Sequence, residues 1–231
     1  MPRAPARAGT PANLDRLVQL ARIDLHVHTA ASFDCDVPPG DVAKHALKLG
    51  LSPLFVTDHD TIEGALRLKA IGWSVVVGQE ISTADGDVIG LFLESAVPAG
   101  MSASETARQI KAQGGLVYLQ HPFDRRRHAL SEKAIEAIME QIDLVEVFNG
   151  RSSSELNAKA DALCASLGAA PGVGSDAHSI RALGRCFIEM PEFSGSADFL
   201  VKLGRGRLVR RTSPWRMRLR TAMGGSRKPL F

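Results

Sequence analysis

Seven short apolar runs punctuate the chain, near residues 21–28, 53–58, 73–81, 87–93, 115–120, 142–148 and 170–174, and Val, Ile, Leu and Phe dominate them. Runs this short and this continuously apolar suit strands covered on both faces, the setting of a parallel sheet. Most alternate with segments whose apolar positions recur every three or four residues. PGDVAKHALKLG at 39–50 begins with Pro and Asp and ends with Gly, the punctuation of a helix. TIEGALRLKA, SASETARQIKAQGG, SEKAIEAIME and SELNAKADALCASLG show the same spacing. Ser102 with Glu105 makes a capping box, and Gly114 and Gly115 stop that helix. Only turn residues separate 73–81 from 87–93, so that step is expected to be a hairpin.

Repeated β-α units predict a parallel sheet, open or closed. The polar residues at strand ends choose between the two. His26 and His28 close the first run; Asp58, His59 and Asp60 follow LSPLFV; Glu80 follows WSVVVGQ; His121 follows GLVYLQ; Asp176 and His178 follow AAPGVGS. An open sheet gathers its functional groups at one switch point, whereas a barrel draws them from the carboxyl ends of many strands. Five strand ends contribute here, which predicts a barrel-like α/β domain with seven strands in preference to eight.

The residue types point to a metal. In an extended segment His26 and His28 emerge on one side roughly 6.5–7 Å apart, and two imidazoles so placed can close on one ion. His59, His121 and His178 each end or follow a strand beside an acid, a proline or another histidine, whereas His45 on a helix and His128 in a basic loop are set aside. Asp34 and Asp36 both stand in the loop after the first run. Glu80, in a buried context, needs a cation or donors. Asp24 is expected to orient a ligand imidazole, and Asp58 and Asp60 to do so for His59. Imidazole and carboxylate without thiolate suit Zn, Mn or Fe better than Ca. Several such groups in one cleft suit more than one ion, which favours making a hydroxide and clamping a phosphoryl group. Arg151 and the Arg125–Arg127 run are placed to grip phosphate oxygens.

At 231 residues the chain suits one domain. Three scattered cysteines argue against a disulfide framework and for a reducing compartment, so a cytoplasmic protein is expected. No apolar run approaches the ~20 residues of a membrane span, and no membrane partner is expected. Residues 1–21 form an Ala/Pro/Arg lead-in without a secretory core, expected to be flexible. The net charge of +3 is uneven, since nine of the 28 basic residues and none of the 25 acidic ones lie in 205–231, leaving 1–204 at −6. That basic tail is a solvated extension or a contact for phosphate-rich polymers.

The ordered series DLHVHTAASFD at 24–34, TDHDT at 57–61, GQE at 78–80, HP at 121–122 and GSDAH at 174–178 resembles the PHP superfamily of polymerase and histidinol phosphatase domains, over about 22–204. The chain is most similar to small stand-alone members that continue as EVFNGR, an NAKA helix and GSDAH. The resemblance implies a single-domain, distorted seven-stranded (β/α)7 TIM-like barrel that holds two or three divalent ions and hydrolyses small phosphomonoesters or nucleotides. It favours Asp34 over Asp36. Carried over by position, it puts His26, His28, Glu80 and Asp176 around one ion, Glu80 and His121 around a second, and Asp34, His59 and His178 around a third. Many relatives carry a histidine on the strand after the glutamate where this chain has Asp87, a possible ligand that can still coordinate.

The function expected is therefore a metal-dependent phosphoesterase acting through a metal-activated hydroxide. Arg151, Arg125 and Arg127 hold the ester, and His178 or His121 protonates the leaving oxygen. Two alternatives stand beside it: a 5'-3' exonuclease or oligonucleotide phosphodiesterase that uses the basic tail, and a non-catalytic binding module.

Overall fold

In the computed structural model the described residues are 20–211; most of the lead-in and of the basic tail lies outside them. Six of the seven apolar runs form one curled sheet in sequence order: β2 (Leu54–Val56), β3 (Val75–Thr83), β4 (Gly86–Leu91), β5 (Leu116–Leu119), β6 (Ile142–Asn149) and β7 (Ala170–Gly174). The β2–β3, β5–β6 and β6–β7 pairs are parallel, as continuous hydrophobic strands require. The β3–β4 hairpin is present, and β4 runs antiparallel to β5 as well, so one strand is reversed within the sheet.

The seventh run does not join as a strand, and the expected seven-stranded (β/α)7 count gives way to six. Its first residues, β1 (Leu20–Ile23), pair antiparallel with β8 (Phe187–Pro191), which also pairs with β9 (Arg207–Val209) in a separate three-stranded sheet. Residues 24–28 then run between the two edges of the large sheet on single bonds: Leu25 N–H to Val173 O at 3.2 Å, His28 N–H to Ala177 O at 3.1 Å and Thr57 N–H to Val27 O at 2.9 Å. Side chains take the place of the missing ladder. Asp24 accepts the backbone N–H groups of His26, Ser175 and Gly184, and Thr57 Oγ1 accepts that of Val27.

The helices match their sequence signals. α1 spans Pro39–Lys48 and α2 Glu63–Ala70. α3 (Ala103–Ala112) begins where Ser102 Oγ accepts the Glu105 N–H at 3.2 Å, and α4 (Glu132–Ile138) has Ser131 in the same role. α5 (Ser154–Leu167) starts at Ser153 and ends at Gly168, whose φ of +64° is the usual helix stop. β8, β9 and α6 (Gly195–Leu203) were not legible in advance. They complete the core: Phe193 and the fully buried Phe199 pack with Phe55 of β2 and Phe92 beyond β4, ring centroids 5.0–6.3 Å apart.

Candidate metal centre

The candidate residues come from segments that follow strands and from β3 and β4 themselves, and the curl of the sheet brings their tips together. His26 and His28 stand on the bridging segment, His59 follows β2, Glu80 lies in β3, Asp87 in β4, His121 follows β5, and Asp176 and His178 follow β7. His121 and Asp176 have φ of +27° and +52°. Non-glycine residues adopt such angles at a cost, typically where a site demands a particular side-chain direction.

Glu80 is the hub. Its Oε2 lies 3.0 Å from His26 Nε2, 3.2 Å from His28 Nε2 and 3.6 Å from His59 Nε2, while Oε1 lies 3.3 Å from His121 Nε2. The Nε2 atoms of His26 and His28 are themselves 3.0 Å apart. Asp176 Oδ1 is 3.8 and 3.6 Å from the same two nitrogens. At the mouth His178 Nε2 is 2.7 Å from Asp34 Oδ2, and His59 Nε2 is 3.6 Å from that oxygen. The rings of His28 and His178 stack with centroids 4.2 Å apart.

Four donor groups overlap in this space, each with ligand atoms within 4.8 Å of one another: His28, Asp34, His59 and His178; His26, His28 and Glu80; His26, His121 and Asp176; and His59, Glu80 and Asp87. The first contains the third set expected from the sequence. His121 falls with His26 and Asp176 as well as beside Glu80, and Asp87 falls within reach of His59 and Glu80. Asp36 is exposed and outside every group.

The donors fit divalent cations on chemical grounds. Nitrogen lone pairs and carboxylate oxygens converge in a buried space, and Nδ1 of both His59 and His121 is buried without a hydrogen-bond partner among the described residues. Such an array is costly unless cations or protons fill it. Burial alone would raise the carboxyls of Glu80 and Asp176. Instead the imidazoles around Glu80, His59 and His26 foremost, hold it well below the usual range, and Arg151, His26 and Arg127 do so for Asp176. Burial and the neighbouring His178 bring His28 down to about 3. Asp87 goes the other way, pushed up to about 7 by burial and by the Glu80 charge.

Two arginines enter the cluster. Arg151 Nη1 donates to Asp176 Oδ1 and to His178 Nδ1, each at 3.0 Å. Arg127 donates to Asp176 Oδ2, to Asn149 Oδ1 at 3.3 Å and to Ser152 Oγ at 2.6 Å, and its Nε is 3.2 Å from Asp124. Arg125, two residues earlier, is exposed. The loop carrying them is docked on the hairpin: Asp87 N–H donates to His128 O at 2.7 Å. Gly86, with φ of +123°, has no room for a Cβ, which would stand 2.7–2.8 Å from the backbone of Leu130, Ala129 and His128.

The supporting groups differ from the expectation. Asp24 accepts the backbone N–H groups of His26, Ser175 and Gly184 and no imidazole N–H. Asp58 accepts the Thr29 N–H at 2.5 Å and its hydroxyl at 2.8 Å, and Asp60 accepts the Ser82 N–H at 2.8 Å, so neither orients the His59 ring. The residue that does orient an imidazole was missed. Glu146 of β6 is fully buried with Oε1 3.1 Å from His26 Nδ1. Its signal was present, a carboxylate in the middle of the apolar run IDLVEVFN.

The PHP domain profile matches residues 24–159, more than half the chain, and a PHP-associated profile matches 154–208. An uncharacterized protein of Methanocaldococcus jannaschii is 34% identical over 178 residues, covering 75% of this chain and 72% of its own, and a second from that organism is 37% identical over 142 residues, covering 55% and 81%. Among solved structures, a two-domain Bacteroides vulgatus protein containing a predicted PHP-like metal-dependent phosphoesterase superposes with a TM-score of 0.68 at 17% identity, over 88% of this chain and 69% of that one. The lesion-specific endonuclease PfuEndoQ of Pyrococcus furiosus superposes with a TM-score of 0.59 at 17% identity, over 79% and 55%. At these identities the two structures show a shared fold. The two profile matches together span the cluster, from His26 to His178, and this chain belongs to the PHP domain family.

Proposed function

We propose that this protein is a metal-dependent phosphoesterase that hydrolyses a small phosphomonoester or a nucleotide. The observation that carries this reading is the convergence of four overlapping His/Asp/Glu donor groups directly beside two arginines. His26, His28, Glu80, Asp176, His121, Asp34, His59 and His178 would hold two or three divalent ions, with Asp87 within reach of a further position. When bound, such ions supply a hydroxide at neutral pH and neutralise phosphoryl oxygens.

The chain's own groups supply the rest. Arg151 and Arg127 present guanidinium forks into the cluster, a geometry suited to bidentate contact with phosphate. His178 Nδ1 lies 3.0 Å from both Arg151 Nη1 and the Asp176 backbone O, and its Nε2 faces Asp34. At the mouth and next to Arg151, His178 is the imidazole placed to protonate a leaving oxygen where no ion engages it, whereas His121 lies deeper with its Nε2 on Glu80. Burial keeps His121 below its ordinary range and therefore neutral at pH 7, which suits a ligand better than an acid. Metal-loaded protein should release inorganic phosphate from a panel of monoesters and nucleotides; no release after loading with Zn or Mn would refute the proposal.

A second reading takes a nucleic-acid strand as substrate. It is favoured by Arg125 and Arg126, exposed next to Arg127 in sequence, and by a fold shared with an endonuclease. Cleavage of a short oligonucleotide in place of monoesters would select it. The basic residues 212–231 lie outside the described residues, and a grip on phosphates by that tail belongs to this reading.

A further inference from the structure

Glu146 is a buried carboxylate with every oxygen engaged, and the metal-holding roles above do not use it. It projects from the middle of β6, is fully buried, and accepts four hydrogen bonds. Oε1 takes His26 Nδ1 at 3.1 Å and the Tyr118 hydroxyl at 3.2 Å; Oε2 takes the His121 backbone N–H at 2.8 Å and Asn149 Nδ2 at 2.9 Å. Asn149 cannot turn its amide around, because its Oδ1 already accepts the Arg151 N–H at 2.8 Å and the Arg127 guanidinium. The β7 backbone is cut back to let this group in. A Cβ on Gly174 would lie 2.2 Å from Glu146 Oε1 and 2.4 Å from His26 Cβ.

We propose that Glu146 is a positioning residue that presets two groups of the centre at once: it fixes the His26 proton on Nδ1, which leaves Nε2 bare for an ion, and it anchors the His121 backbone. An ionised carboxylate only accepts, so the nitrogen facing it must carry hydrogen, and the lone pair of the ring is then left on Nε2, on the side of Glu80 and His28. Partners of this kind also make a ligand nitrogen more basic. The bond to the His121 N–H acts on a residue whose φ of +27° it would not hold unaided. One buried carboxylate thereby ties β6 to the bridging segment and to the end of β5.

The inference rests on reading the cluster as a metal centre, and the tests separate the two. Glu146→Gln keeps the shape but presents an NH2 group either to His26 and Tyr118 or to the two N–H donors of His121 and Asn149. Titration of the full chain with zinc against a chromophoric chelator should show affinity about 10–100-fold weaker in Glu146→Gln than in the wild type. Affinity within twofold, in a variant with the wild-type circular dichroism spectrum, would overturn the inference. The wild type provides an independent check if the variant does not fold: 15N spectra of the zinc-loaded protein should show His26 with a hydrogen on Nδ1 and zinc on Nε2. The reverse arrangement overturns the inference alone, whereas wild-type protein that takes up no zinc overturns the metal reading and this inference with it.

Discussion

His178 Nε2 stands 2.7 Å from Asp34 Oδ2, joining the turn after the last strand of the large sheet to the loop that follows the HxH pair, 144 residues earlier. Two segments distant in sequence thus close the mouth of the cluster, and His28 and His59 complete the group behind them. Asp34→Asn keeps the hydrogen-bonding shape while removing the charge. Ion affinity at the mouth should weaken by at least about 10–100-fold, with the thermal midpoint of the metal-free protein little changed. Titration with Zn or Mn checks this, and unaltered affinity would remove Asp34 from the set.

Arg151 should act on substrate more than on metal. Truncation to Ala removes charge-assisted contacts of about 1.5–3 kcal/mol, so KM for a phosphate ester should rise roughly 10–100-fold while bound metal is retained. Arg151→Lys should recover little of this, because an ammonium cannot make the planar two-point contact. Steady-state kinetics beside metal content decide the point.

Gly174 exists for the approach of His26 to Glu146. Gly174→Ala forces both away and should destabilise the fold by about 1–3 kcal/mol, the usual range for overpacking, with weaker zinc binding. A urea unfolding series measures the first effect; a variant as stable as the wild type would mean that β7 has room the distances deny.

Buried Asp58 gives a pH signature. Burial pushes its carboxyl up to about 6, against the Thr29 hydrogen bonds that hold it down. A carboxyl whose folded pKa lies above the unfolded value near 3.8 stabilises the fold fully below that value, and the contribution is lost as pH rises through about 6. The shift corresponds to about 3 kcal/mol at most. Asp58→Asn, which can still accept the Thr29 N–H, should therefore gain on the wild type between pH 4 and pH 8 in chelator-treated protein. Urea midpoints that run parallel across that range would contradict it.

Much of the candidate centre was legible because the chain places most of its His, Asp and Glu candidates near strand ends, where hydrophobic runs stop and polar groups begin. His26, His59, Glu80 and Asp176 could be picked out by that transition, and the order of motifs carried the family. What was not legible depends on tertiary direction. Whether Asp24 faces an imidazole or three backbone N–H groups is decided by which side of the bridging segment it occupies, and sequence spacing is silent on that. Glu146 looked like one polar residue in a strand; its partners lie on β5 and just beyond it, at the end of its own strand, and on the segment after β1. The seventh strand failed for the same reason, since Asp24 and Thr57 side chains took hydrogen bonds that periodicity assigned to a ladder. Arg127 could be named from sequence, but its route to Asp176 runs through a docking of its loop on Asp87 that no local pattern announces.

The central claim is that these donors form a centre for divalent ions. Elemental analysis of the full chain, loaded with Zn or Mn and desalted, tests it most directly alongside His26→Ala and Glu80→Gln. The account predicts two or more ions per wild-type chain and a loss of at least one in each variant. Less than one ion per chain in the wild type, or variants that hold as many as the wild type, would contradict it.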